Sequence, residues 1–352
     1  MLIAGLFVAL TLAQTPAPAT AGRQEAPKTD ETVPVQKGTR LSINNFAGEV
    51  VIHTWDKDSV HVVARHQSRT KVIIKPNAAG LSINATGTTG PQGSVDYDIT
   101  APAWMPIKVE GTYNFITMEG VQGEVFANSV RGDIIIKGGT GTITAKSIEG
   151  EVQVEGARGK VNVSSVNEKI RITDTSGEIT AESTNGAITM TGIDSKSVDA
   201  STVNGTIIYE GKLADGGRYS FGTHNGDLLL GVPENANATF TIRTYQGSFQ
   251  TDLPLPNVNR DDIQRGRRVV TTLGSGSADV SLETFGGAIR VRRGTATRRA
   301  REKGATGRTP PAAREPAEPS PGRAEHPAAA ATARSGRAHP RTVRLPDVHP
   351  ET

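Results

Sequence analysis

Carboxylates, histidines, glycine pairs and asparagines are the side chains of this 352-residue chain whose type and spacing could do chemistry. Asp133 and Glu151 fall on one repeat, with Lys169 and Arg171 after them. Grouped on adjacent coils, such a set could serve a polysaccharide lyase or hydrolase as acid, base or metal ligand. A solvated charged face is the simpler reading of the same residues. His61 and His66 are separated by an odd number of residues, which puts them on opposite faces of a strand and removes them as a metal pair; His53 and His224 stand apart. A calcium-binding nonapeptide roll needs repeated Gly-Gly-x-Gly-x-Asp, but Gly138-Gly139-Thr140-Gly141-Thr142-Ile143 occurs once, with Ile in place of the acid. The chain has no cysteine, so disulfides, thiolate zinc sites, cysteine nucleophiles and lipid attachment at cysteine are excluded. Neither a phosphate-binding Gly-x-x-x-x-Gly-Lys-Ser/Thr loop nor a serine nucleophile elbow is present. No catalytic residue, metal or cofactor is expected. Asn167, Asn185 and Asn204 remain, each directly before a glycine or its equivalent. They read as a ladder of amides bonding coil to coil, and as the one candidate ligand-binding row.

The elements that must position these residues follow a nine-residue period. Gly123, Gly132, Gly141, Gly150, Gly159, Gly177 and Gly186 fall on it, Glu168 fills the remaining slot, and Gly205 continues it after a one-residue insertion near Ser195. Glycine at a recurring turn supplies either positive φ or room for close backbone approach. Apolar residues two and four places after each slot give the alternation of a short strand with one buried face. A slower period of 18 residues relates Ser129, Ser147, Ser165 and Ser183, followed by Val130, Ile148, Val166 and Thr184. Two strands therefore make one coil. Ile134, Val152, Ile170 and Ile188 form one buried row and Ile143, Val161 and Ile179 another. Ile136, Val154, Ile172 and Met190 face Ala145, Val163 and Ala181 across a thin core.

The fold class expected is all-β: a single-chain β-solenoid with about 18 residues per two-strand coil. Five coils between Val121 and Tyr209 would span on the order of 25 Å. Cross-coil ion pairs are expected between Glu151 and Lys169 and between Lys160 and Glu178. Outward Thr144, Thr180 and Thr189 do not make an ice-binding array, because Gln153, Asn162 and Arg171 interrupt the rows. The repeat loosens at Asn204, Asn225 and Gln246, each before a glycine, and Gly274 to Gly294 reads as the closing coils. Residues 33–118 read as irregular β strands that start and cap the solenoid, and 119–293 as the repeats with their closing strands.

The ends differ from the fold. The apolar run Leu2–Leu12, followed by small residues, reads as a signal peptide over 1–21, although a positive start is missing; 22–32 reads as a linker. The run is too short to span a bilayer, so export without a transmembrane segment is expected. From Gly294 to Thr352 the chain is rich in Pro, Ala and Arg and has no aromatic residue, which reads as a disordered basic tail. It holds 11 Lys and Arg against 6 Asp and Glu, a net of +5, leaving 28 against 30 before it. The basicity of the chain thus belongs to its tail, either a tether to anionic polymer or a loose extension.

The phrases GEVVIHTWDKDSVHVVA, YDITAPAWMPIKVEG, STNGAITMTG, TVNGTIIYEG and GSGSADVSLETFGGAIRV together resemble the bacterial putative-adhesin family of exported β-solenoid domains, whose function is unknown. The resemblance covers about Val33 to Val291. It implies an extracytoplasmic, non-enzymatic solenoid with an adhesive or envelope-associated role, and supplies no catalytic residues. The expected partners are cell-envelope polysaccharide or envelope proteins rather than nucleic acid. A carbohydrate-active β-helix enzyme and a scaffold domain in envelope stress signalling are the competing readings.

Overall fold

The computed structural model describes residues 28–294 apart from 78–79, 89, 91–92, 234, 257 and 259. The signal-peptide reading of 1–21 and the tail reading beyond Gly294 fall outside these residues. In chain order the strands are β1 (Lys28–Pro34), β2 (Arg40–Trp55), β3 (Ser59–His66), β4 (Thr70–Asn77), β5 (Gly80–Gly87), β6 (Val95–Pro102) and β7 (Ile107–Glu119). The regular repeat supplies β8 (Val125–Arg131), β9 (Ile134–Lys137), β10 (Ile143–Glu149), β11 (Val152–Glu155), β12 (Arg158–Ser165), β13 (Ile170–Thr173), β14 (Ser176–Ser183) and β15 (Ile188–Thr202). Then come β16 (Ile207–Gly211), β17 (Arg218–Thr223), β18 (Leu228–Val232), β19 (Ala238–Thr244), β20 (Phe249–Thr251), α1 (Arg260–Gln264), β21 (Val269–Leu273), β22 (Ala278–Thr284) and β23 (Ile289–Arg293).

Parallel pairing sorts these strands into two faces. The first runs β5, β2, β7, β8, β10, β12, β14, β15, β17, β22, β19. The second runs β6, β2, β7, β9, β11, β13, β15, β16, β18, β23, β20. β2, β7 and β15 are long enough to bend round a corner and serve both faces. The stack is an all-β solenoid of eleven coils, and at a strand spacing of about 4.8 Å it is roughly 48 Å long. Antiparallel strands cover its ends: β4 on β5, β3 on β6 and β1 on β3 at one end, and β21 on β19 at the other.

Alternation dictates the core. Ile134, Val152, Ile170 and Ile188 are in register and buried, as are Ile143, Val161 and Ile179. Each side chain so removed from water contributes roughly 1.5–3 kcal/mol. The extra residue near Ser195 is absorbed as a register shift between β14 and β15, where the Ser195 hydroxyl turns inward and donates to the carbonyls of Gly177 and Ser197. Aromatic rings fill the wider core further on: Tyr209 packs against Tyr219 and Phe221 at centroid distances of 6.1 and 5.1 Å. Burial pushes the Tyr97 and Tyr209 phenols up from their ordinary range. Tyr209 donates to the Lys212 carbonyl at 2.8 Å, whereas the Tyr97 hydroxyl has no partner among the described residues.

Two readings are corrected and one is sharpened. Gly274–Gly294 does not close the stack: β22 and β23 wedge between the β17/β18 coil and the β19/β20 coil, so the last strands among the described residues form the penultimate coil. Parallel coils pair by side-chain fit and backbone register, which connection order does not constrain. The stretch 33–118, expected to start and cap the solenoid, supplies three complete coils, β5/β6, β2 and β7, again out of chain order. Residues 22–32, read as a linker, include the start of β1, whose charged KTDETVP lacks an apolar alternation because it is an edge strand.

Candidate binding surface

One corner of the solenoid, where the first face turns into the second, carries the residues singled out by sequence. Asn185 Nδ2 donates to Asn167 Oδ1 and Asn204 Nδ2 to Asn185 Oδ1, both at 2.9 Å. The ladder has a fourth rung that the sequence reading left out: Asn225 Nδ2 donates to Asn204 Oδ1 at 2.9 Å. Its signal was present in the Asn-Gly pair at 225–226, but a longer spacing hid it. The backbone continues the ladder through the turn, with the N–H of Asn167, Asn185, Asn204 and Asn225 donating to the carbonyls of Ile148, Val166, Thr184 and Val203 one coil away.

Beneath the ladder a second column holds the turns together. The buried hydroxyls of Ser147, Ser165, Thr202, Thr223 and Thr284 donate to the carbonyls of Gly132, Gly150, Gly186, Gly205 and Gly226 in the neighbouring coil. Ser165, Ser183, Thr244 and Thr284 also accept the N–H three residues on in their own turn. This arrangement explains the glycines. A Cβ on Gly150 would stand 2.0 Å from the Gly132 carbonyl oxygen, and one on Gly205 would stand 2.1 Å from that of Gly186. Close approach, rather than backbone conformation, is therefore the general requirement; of the eight glycines named from the sequence only Gly132 and Gly177 have positive φ. Gly123, Gly141, Gly159 and Gly177 belong to the opposite corner, where a Cβ on Gly159 would stand 2.5 Å from the Gly141 carbonyl oxygen. In β7 the roles exchange: Gly111 occupies the hydroxyl position and Asn114 the glycine position. The Asn114 amide fills the space, donating to the Asn45 carbonyl at 2.7 Å and accepting from Asn45 Nδ2 at 2.9 Å.

The second face carries the charges. Lys160 pairs with Glu178 at 3.3 Å, on the opposite corner. Glu151 pairs with Arg171 at 3.1 Å instead of with Lys169, because the longer guanidinium arm reaches diagonally across the coils. Lys137 Nζ donates to Glu119 at 2.9 Å, and this bond with its charge holds the Glu119 carboxyl below the ordinary carboxylate range, His53 adding to the effect. Two open cavities of about 510 and 580 Å³ flank the exposed ring of Phe115. Three of the carboxylates lining them have structural bonds: Asp96 accepts the Glu49 N–H, Asp133 the Glu151 N–H, and Glu149 pairs with Arg131. The set Asp133, Glu151 and Arg171 is thus brought together as a cross-coil brace. Among the described residues no group of three His, Asp or Glu side chains could hold a metal ion, and no helix is long and apolar enough to cross a membrane. His61 and His66 are engaged separately, with Asp30 and with the Thr29 hydroxyl, both at 2.9 Å.

Comparison with solved structures finds a "putative cell adhesion protein" from Clostridium sporogenes at 9% identity, covering 76% of this chain and 100% of that one, with a TM-score of 0.20. Among curated proteins none matches. The Toastrack DUF4097 family profile matches residues 38–292, which takes in the solenoid from the start of β2 into β23. On that match, the chain belongs to the Toastrack DUF4097 family.

Proposed function

We propose that this chain is an exported, non-catalytic binding or scaffold protein that presents the repeated polar faces of its solenoid to cell-envelope polysaccharide or to an envelope protein. The observation that carries the reading is the in-register repetition of uncharged hydrogen-bonding groups on a rigid frame. Asn167, Asn185, Asn204 and Asn225 recur once per coil, each held by a backbone bond and by one side-chain bond at the ends of the ladder or two within it. A row of identical groups favours a partner that is itself repetitive, because many weak contacts then add through effective concentration. Asp96 and Asp133 serve as backbone acceptors and Glu149 and Glu151 as ion-pair partners, which favours binding over turnover.

The test is co-sedimentation of the full chain with isolated cell envelope across a range of salt, with the supernatant assayed for released sugar. Retention without release is the expected result, weakened by replacing Asn185 and Asn204 with Ala. Release of reducing sugar would establish the carbohydrate-active reading instead. Absence of both would leave the envelope-signalling scaffold as the better account.

A further inference from the structure

We propose that the corner bearing the asparagine ladder is a self-association surface, along which two copies of this chain lie antiparallel, rib against rib. The same corner carries the proposed envelope binding, so a second copy seated there would cover Asn185 and Asn204, and the experiment below separates the two occupants. Eight of the ten large apolar side chains that are exposed among the described residues gather here: Phe46, Tyr113, Val130, Ile148, Val166, Val203, Phe285 and Tyr245, each 37–47% accessible. Register places most of them in a single column that runs Phe46, Thr112, Val130, Ile148, Val166, Thr184, Val203, His224, Phe285, Tyr245, one residue per coil. Tyr113 stands in the adjoining ladder column. Apolar residues scattered singly over a surface need no explanation, but a continuous exposed line of them does.

Three observations choose the occupant. The rings in the rib spend their faces on each other: His224 stacks on Phe285 at 4.7 Å, Phe285 packs on Tyr245 at 5.5 Å, and Arg243 covers Tyr245 at 4.5 Å. What reaches solvent is ring edges and methyl groups, which suits a dry protein contact and not the ring-face stacking that a sugar needs. From Val166 to Tyr245 the rib and the ladder contain no carboxylate, lysine or arginine, so neither an anionic membrane nor a charged polymer is matched. Finally, the rib repeats at the coil spacing of about 4.8 Å, and a second copy has that same period. An antiparallel arrangement with full overlap sets Phe46 against Tyr245, Val130 against His224, Ile148 against Val203 and Val166 against Thr184, each twice by symmetry. A contact roughly 43 Å long and about 10 Å wide buries on the order of 900 Å² over both copies, the size of a weak association.

The experiment is sedimentation velocity of the full chain from low to high micromolar concentration. A monomer–dimer equilibrium is expected, with Ile148→Asp and Val203→Lys each weakening it roughly tenfold or more at an unchanged melting temperature. An equimolar mixture of the two variants should recover dimer, because the antiparallel register sets position 148 against position 203. As the chain has no cysteine, Val166→Cys supplies a second reading: it should crosslink to itself under mild oxidation while Phe46→Cys does not. A monomer at every concentration would overturn the proposal, as would a dimer indifferent to both charged variants or a mixture that fails to recover. If the chain is monomeric and Ile148→Asp abolishes its retention on envelope glycan, the rib is a polymer site and self-association is rejected.

Discussion

The two corners of the solenoid share one glycine period and differ in what they tolerate. At the ladder corner the path from the buried hydroxyl position to the first core residue of the next face has the same length in every coil from β2 to β19/β20: Ser129 to Ile134, Ser165 to Ile170, Thr223 to Leu228, Thr244 to Phe249. At the opposite corner the length grows along the chain, from the short turn after β9 to the segments Lys212–Gly217 and Asp252–Arg268. The ladder corner is tied by hydroxyl, amide and backbone bonds to both neighbouring coils, so an added residue would break several bonds at once. The opposite corner is also tied coil to coil by backbone bonds, such as Gly156 N–H to the Thr173 carbonyl and Arg158 N–H to the Gly139 carbonyl, but it has no recurring hydroxyl column or amide ladder among the described residues, and loop closure entropy grows only slowly with length. Uniformity of turn length therefore marks where the coils are joined, and the same corner carries the exposed rib.

The largest test of this contrast is insertion. Two glycines after Asn167 should lower the melting temperature by more than 10 °C, on the order of 3 kcal/mol or more, whereas the same insertion after Gly156 should lower it by about 2–3 °C; equal effects in a thermal melt would dissolve the comparison. Next in size, Gly150→Ala drives a methyl into the Gly132 carbonyl and should destabilise by about 2–3 kcal/mol, against no measurable change for Gly222→Ala, whose added methyl meets open space. Urea unfolding of the pair reads the difference directly. Ser165→Ala removes a buried hydroxyl that donates to Gly150 and accepts from Glu168, and should cost about 1–2 kcal/mol. A loss below a few tenths would show that the hydroxyl column fills space without joining coils. The smallest effect belongs to the ladder: Asn185→Ala deletes two exposed amide bonds and should lower stability by about 0.5–1 kcal/mol, with envelope retention falling further than stability does.

Much of this architecture was legible because a period of nine leaves little freedom. The buried rows from Ile134 to Ile188 and from Ile143 to Ile179, and the ladder through Asn204, follow from spacing alone. The fourth rung at Asn225 escaped notice because the loop before β17 lengthens the coil while leaving the turn intact. The rib was written in the same lines: Val130, Ile148 and Val166 follow the recurring serines, yet an apolar residue after a buried position carries no mark of whether it faces solvent. The exchange of Gly111 and Asn114 was invisible, because it makes sense only when the two positions are seen to share one space.

The sequence by itself determined the all-β class, the two-strand coil, the composition of the core and the requirement for small residues at the turns, since each of these depends on the identity of residues a fixed distance apart. Tertiary structure alone decided the order of the coils. Backbone pairing between parallel strands is blind to connectivity, so β22 and β23 entered before β19 and β20, and β2 between β6 and β7, wherever core volume fitted. It also decided which diagonal an ion pair takes, as Arg171 did in reaching Glu151, and which of two chemically similar columns meets solvent, because exposure is a property of the closed coil and not of the residue.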